Sequence, residues 1–193
     1  MKVNHDGRWH CMRLVDENHS KNCISTDEAN KITTDHCMKT EISDWFVVNK
    51  GKKDKTSKKS RKKNCEPEVV TYQCSGGVLD KWMDVTIPNL SAQITVTRPR
   101  TLKYERTTAT LFFTGSDGVP QRVVQMETTE PLPEKDTDKG WPHLHFGHQY
   151  WKADSREEVV SYERNISLFS ESSNVELSEI PGNPFEPGDL ELT

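Results

Sequence analysis

The run Pro142-His143-Leu144-His145-Phe146-Gly147-His148 holds three imidazoles in a short aromatic-rich stretch closed by Tyr150 and Trp151. In an extended strand, side chains two apart share a face, so His143 and His145 stand together while Leu144 and Phe146 turn inward. Paired neutral imidazoles are zinc ligands. A catalytic zinc also needs a third protein ligand and an open position for a water whose pKa the ion lowers. His148 and Asp154 are the candidates for that third ligand, with Glu127 or a cysteine as further choices. The same imidazoles exchange protons near neutrality without any metal. They also serve purely structural hydrogen bonds.

A second feature is cationic. Between Lys50 and Lys63 nine bases (Lys50, Lys52, Lys53, Lys55, Lys58, Lys59, Arg61, Lys62, Lys63) face one acid, Asp54, for a net charge of +8 in a chain of net charge -4. A flexible segment of this kind attracts nucleic acid or an acidic protein, because phosphate neutralisation releases condensed counterions. It contains no aromatic, Asn or Gln side chain, so its contacts read backbone charge and not base edges. The opposite block follows Glu171, where six acids and no base reach the C-terminus. Like charges repel and stay solvated, which predicts an irregular acidic tail over 170–193. Such a tail neutralises the basic loop, or mimics a polyanion as an inhibitor or immunity-type protein does.

The five cysteines, Cys11, Cys23, Cys37, Cys65 and Cys74, are odd in number and include no Cys-x2-Cys knuckle. Buried thiols are the simpler reading for Cys11 and Cys37. Cys74, before Ser75-Gly76-Gly77, reads as a turn residue whose exposed thiol becomes a nucleophile if a base stands beside it. The first eight residues lack the apolar stretch of a secretory signal, so a cytoplasmic location is expected, and the sequons at Asn18, Asn89 and Asn165 then carry no sugar. No run approaches the ~18 apolar residues of a membrane helix, and no membrane partner is expected.

The elements that must position these groups are read from spacing. Hydrophobic residues make up only 32% of the 193 residues and mean hydropathy is -0.82, which limits the chain to one modest core. Arg8 to Val15 alternates like a strand. Ser25-Thr26-Asp27-Glu28 has the form of a capping box and predicts a helix from about Thr26 to Met38. Trp45 to Val48 reads as a buried strand. Beyond the basic block, β-branched residues recur with period two at 69–72, 94–97, 110–113 and 123–124, and Gly115-Ser116-Asp117-Gly118 marks a hairpin. His143 to Trp151 and Val159 to Phe169 read as two further strands. The expected fold is therefore α+β: a predominantly antiparallel sheet with one N-terminal helix, in a single domain over 1–169 interrupted by the basic insertion at 50–64, with the acidic tail after it.

Two local resemblances fall on the histidine run. Gly140-Trp141-Pro142-His143-Leu144-His145 resembles the Gly-Trp-x-His-x-His core of JAMM-type zinc isopeptidases, and Pro142 to Phe146 is similar to a stretch of M23-type zinc endopeptidases. Each covers about six residues. Beyond them the chain departs from both patterns: Ala153 and Arg156 stand near where the first family needs Ser and Asp, and no upstream His-x3-Asp serves the second. P-loop, dinucleotide-binding, hydrolase-elbow and His-Glu-x-x-His motifs are absent from the sequence. The leading expectation is a non-enzymatic binding module acting through Lys50 to Lys63. A small zinc-dependent hydrolase or nuclease built on His143 and His145, and an inhibitor acting through the tail, are the alternatives.

Overall fold

In a computed structural model the described residues are 8–9, 12–19, 22–48, 69–99, 104–130, 142–153 and 161–186. Among them, β1 (Arg8–Trp9) and β2 (Met12–Asp16) precede α1 (Thr26–Asp35), β3 (Met38–Glu41) and β4 (Phe46–Val47). Four long strands follow: β5 (Val69–Asp80), β6 (Thr86–Pro99), β7 (Glu105–Thr114) and β8 (Pro120–Glu130). The chain then forms β9 (His143–Phe146), β10 (Gln149–Ala153), α2 (Tyr162–Ser173) and β11 (Val175–Ser178). All strands join one sheet in the order β1-β2-β10-β9-β8-β7-β6-β5-β3-β11, with β4 paired to β5.

Strict alternation builds the sheet. On one face Cys74, Ala92, Ile94, Ala109, Leu111, Val124, Met126, Leu144 and Phe146 are fully buried, and each pairs across to another member of the same set. Helix α2 covers this face over β7 and β8 with Ile166 and Phe169. The opposite face carries Gln73, Ser75, Ser91, Gln93, Thr95, Thr108, Gln125 and Glu127, the alternate positions of the same strands. A bulge in the β7–β8 ladder, between Leu111 and Phe112, advances the register so that Phe112 stands opposite Arg122.

The capping box forms: Ser25 Oγ accepts from Glu28 N–H (3.2 Å) and Glu28 Oε2 accepts from Ser25 N–H (3.0 Å). The helix it starts is shorter than its spacing predicts. His36 takes an extended backbone, and Met38 is drawn into β3 as a fully buried core residue.

The expected fold class needs correction. Among the described residues the chain is mostly β-sheet with two short helices, and the sheet is mixed, because β11 runs parallel to β3 (Val175 beside Met38, Ser178 beside Glu41). The segment read as a strand ending at Phe169 is α2: Ser161 caps it, and Tyr162, Ile166, Phe169 and Ser173 recur at helical spacing on its buried side. Residues assigned to an irregular tail instead end α2 and form β11, where burial of Val175 outweighs the acidic composition. Phe46 and Val47 form a strand, but an exposed one. Among the described residues no helix is long and apolar enough to cross a membrane.

Candidate functional site

Because β9 and β10 are joined by the two-residue turn Gly147-His148, alternation places Tyr150 beside His145 and Lys152 beside His143. On the other side β8 sets Gln125 against His145 and Glu127 against His143, while β2 contributes Arg13 opposite Lys152 and Asp16 opposite Tyr150. Two rows of polar side chains thus cross the sheet on the face away from α2: Glu127, His143, Lys152, Arg13, and Gln125, His145, Tyr150, Asp16. The chain after β2 returns His19 to the same place. Its N–H donates to His148 O (2.7 Å), which clamps this loop to the β9–β10 turn.

The rings form one cluster. Centroid separations are 5.0 Å for His19 and His145, 5.2 Å for His143 and His145, 5.0 Å for His145 and Tyr150, and 5.4 Å for His143 and Tyr150. Glu127 lies at the edge, with Oε1 3.8 Å from His143 Nε2 and 3.4 Å from Arg106 Nε. Arg122 donates from Nη1 to Gln125 Oε1 (2.9 Å), which turns its guanidinium along the same face. Burial lowers the Arg122 pKa, and the neighbouring Cys23 partly offsets this.

His145 is the most perturbed member. It is only 7% exposed, and its Nδ1 is buried with no hydrogen-bond partner among the described residues. Burial chiefly, then the charges of Arg122, His143 and His19, push its pKa down to about 2, so the ring is neutral at any physiological pH. A neutral buried imidazole with an open nitrogen is a hydrogen-bonding group waiting for a partner, because leaving such an atom unsatisfied costs about 1–3 kcal/mol.

No family model, no curated protein and no solved structure matches this chain. The site therefore rests on its own geometry.

Of the residues expected from the sequence, His143, His145 and Glu127 are brought together, and both histidines are buried (6% and 7% exposed). His148 takes a different part. Its backbone N–H donates to Thr26 Oγ1 (3.2 Å), its carbonyl holds His19, and its ring lies near Glu28 at the start of α1. Among the described residues no three His, Cys, Asp or Glu side chains are arranged to hold a metal ion. Asp154 and the whole series Lys50 to Lys63 lie outside the described residues. Cys74 is corrected: it sits inside β5, fully buried, with its thiol pushed up to about 12 by burial, so it is a core residue and no nucleophile.

Tyr150, Lys152, Arg122, Arg106 and His19 were not singled out from the sequence. The first two had a signal, since a two-residue turn after Phe146 fixes the pairing of every residue from Gln149 onward. His19 had none, because a loop residue reaches its neighbours only through the fold.

Proposed function

We propose that this protein cleaves single-stranded RNA by general acid–base catalysis on the polar face of β8, β9 and β10. The observation that carries the reading is the meeting of Glu127, His143, His145 and Tyr150 on adjacent strands, around the open Nδ1 of a neutral His145. RNA contains its own nucleophile. Cleavage needs a base to take the 2′-hydroxyl proton, a cation beside the phosphate as charge builds, and an acid to protonate the departing 5′-oxygen. Glu127 suits the base, protonated His143 the acid, and Arg122 with Lys152 the phosphate. His145, held neutral, accepts a hydrogen bond from the substrate rather than donating a proton. In the step, the 2′-oxygen bonds to phosphorus, the bond to the 5′-oxygen breaks, one proton passes to Glu127 and one leaves His143. The product is a 2′,3′-cyclic phosphate.

The same substrate accommodates the basic segment Lys50 to Lys63, whose sequence suits non-specific contact with a phosphate backbone. The test compares fluorescently labelled RNA and DNA of one sequence, with and without EDTA. Cleavage of RNA alone, leaving a cyclic phosphate and surviving EDTA, is expected, with Glu127→Gln and His143→Ala each lowering kcat about 100-fold. Loss of cleavage in EDTA would restore the zinc reading of His143 and His145. Absence of cleavage in any buffer would sink the enzymatic reading.

A further inference from the structure

The polar face extends past the histidine cluster toward β5. There a cleft of about 720 Å³ opens over β5, β6 and β7, lined by Gln73, Ser75, Gly77, Ser91, Gln93 and Phe112. Its position follows from register. Gln93 pairs with Thr110, Thr110 with Gln125 and Gln125 with His145, so cleft and cluster share one cross-strand row. Three strand spacings separate Gln93 from His145, about 14 Å. Phe112 stands at the boundary, opposite Ser91 on one side and Arg122 on the other.

The lining has a definite chemistry. Two carboxamides, each with a donor and an acceptor, sit beside two hydroxyls and one aromatic ring, and among the described residues no side chain lining the cleft is charged. A neutral amide edge plus an aromatic face recognises a planar, uncharged heterocycle, by paired hydrogen bonds at its edge and stacking on its face. The adjoining glycines divide their duties. A Cβ on Gly76 would meet Glu41 O at 2.1 Å, so that position lets the end of β3 lie close to β5, whereas a Cβ on Gly77 meets nothing within 4 Å and leaves the cleft open.

We propose that this cleft is a nucleobase subsite. It holds a base displaced by more than one nucleotide from the cleaved bond, with Phe112 as the stacking platform and Gln73 and Gln93 reading the base edge. The proposal rests on the RNA-cleaving reading and deepens it. A strand bound this way runs across the sheet, from β5 to β10, with Arg122 at the cleaved phosphate and Phe112 beside it toward the cleft.

Gly77→Leu fills open space without removing any contact, and Phe112→Ala removes the platform. Both are measured twice: for binding of a fluorescein-labelled mixed-sequence RNA strand to the Glu127→Gln protein by anisotropy, and for cleavage of the strand against a dinucleotide by the otherwise unaltered protein. Each substitution is expected to weaken strand binding about 10-fold and raise KM for the strand, with dinucleotide cleavage unchanged and Phe112→Tyr restoring the loss. Strand binding unchanged in both variants, or dinucleotide cleavage falling as far as strand cleavage, overturns the subsite. If the unaltered protein cleaves neither substrate, the enzymatic reading fails alone, and binding decides the cleft: weakened by Gly77→Leu it stands, unchanged it falls.

Discussion

The two faces of the sheet are made by the same strands and share almost no chemistry. On β9, Leu144 and Phe146 are fully buried against the core under α2, while His143 and His145, one residue away, are nearly as buried on the other side without a greasy neighbour in their cross-strand rows. Burial on the first face removes apolar surface from water and stabilises the fold. Burial on the second holds imidazole, carboxylate and guanidinium groups at close range in a poorly solvated place, where the proton affinities of His145 and Arg122 fall. The lesson is that exposure alone does not tell core from site; the partner across the ladder does.

Neighbouring substitutions on β9 give the sharpest separation. Leu144→Ala leaves a cavity in the apolar face and is expected to cost about 3 kcal/mol of stability by urea unfolding. His143→Ala should cost less than half of that while removing RNA cleavage, so equal unfolding losses for the pair would erase the distinction between faces. Gly147 joins them. It has φ +53°, and a Cβ there would lie 2.6 Å from Thr26 Cα and 2.8 Å from Ser25 O. Gly147→Ala is therefore expected to lose about 2–3 kcal/mol, read as a lowered urea midpoint, and to loosen His19 from the cluster.

The acid limb of stability tests the polar face alone. His145 has an ordinary value of 6.5 and a folded value of about 2, so below pH 6.5 the unfolded chain takes a proton that the folded chain refuses. Stability should be unaffected above that value and fall as pH drops toward 2, by about 2 kcal/mol at about pH 5. His145→Gln should flatten that fall. An unchanged slope would mean that His145 does not carry the acid limb. The smallest effect belongs to the cap of α1, outside both faces: Ser25→Ala is expected to cost about 1 kcal/mol with activity retained, and a loss of activity would show that α1 positions the turn at Gly147.

The alternation of β6 and β7 could be read directly, since Ala92, Ile94 and Val96 fall on one parity within β6 and Ala109 and Leu111 on one parity within β7. The capping box at Ser25 was equally legible, because it depends on residues three apart. The nature of α2 was not: Ile166, Leu168 and Phe169 satisfy both a strand-like and a helical reading, and only packing against β7 and β8 chooses between them. The site was half legible. His143 and His145 share a face by local geometry, but Glu127 and His19 join them through strand order and loop closure, which a single sequence does not specify.

The parallel pairing of β3 with β11 brings Met38 beside Val175, residues 137 apart in the chain (175 − 38). The meander from β5 to β8 needs only short hairpin connections and can assemble while synthesis continues. The outer edge of β3 must wait until β11 has emerged before its parallel neighbour arrives. A nascent chain stopped before α2 therefore leaves β3 with an open backbone edge and part of the β7–β8 surface uncovered, so α2 and β11, and not the central strands, cover these two surfaces.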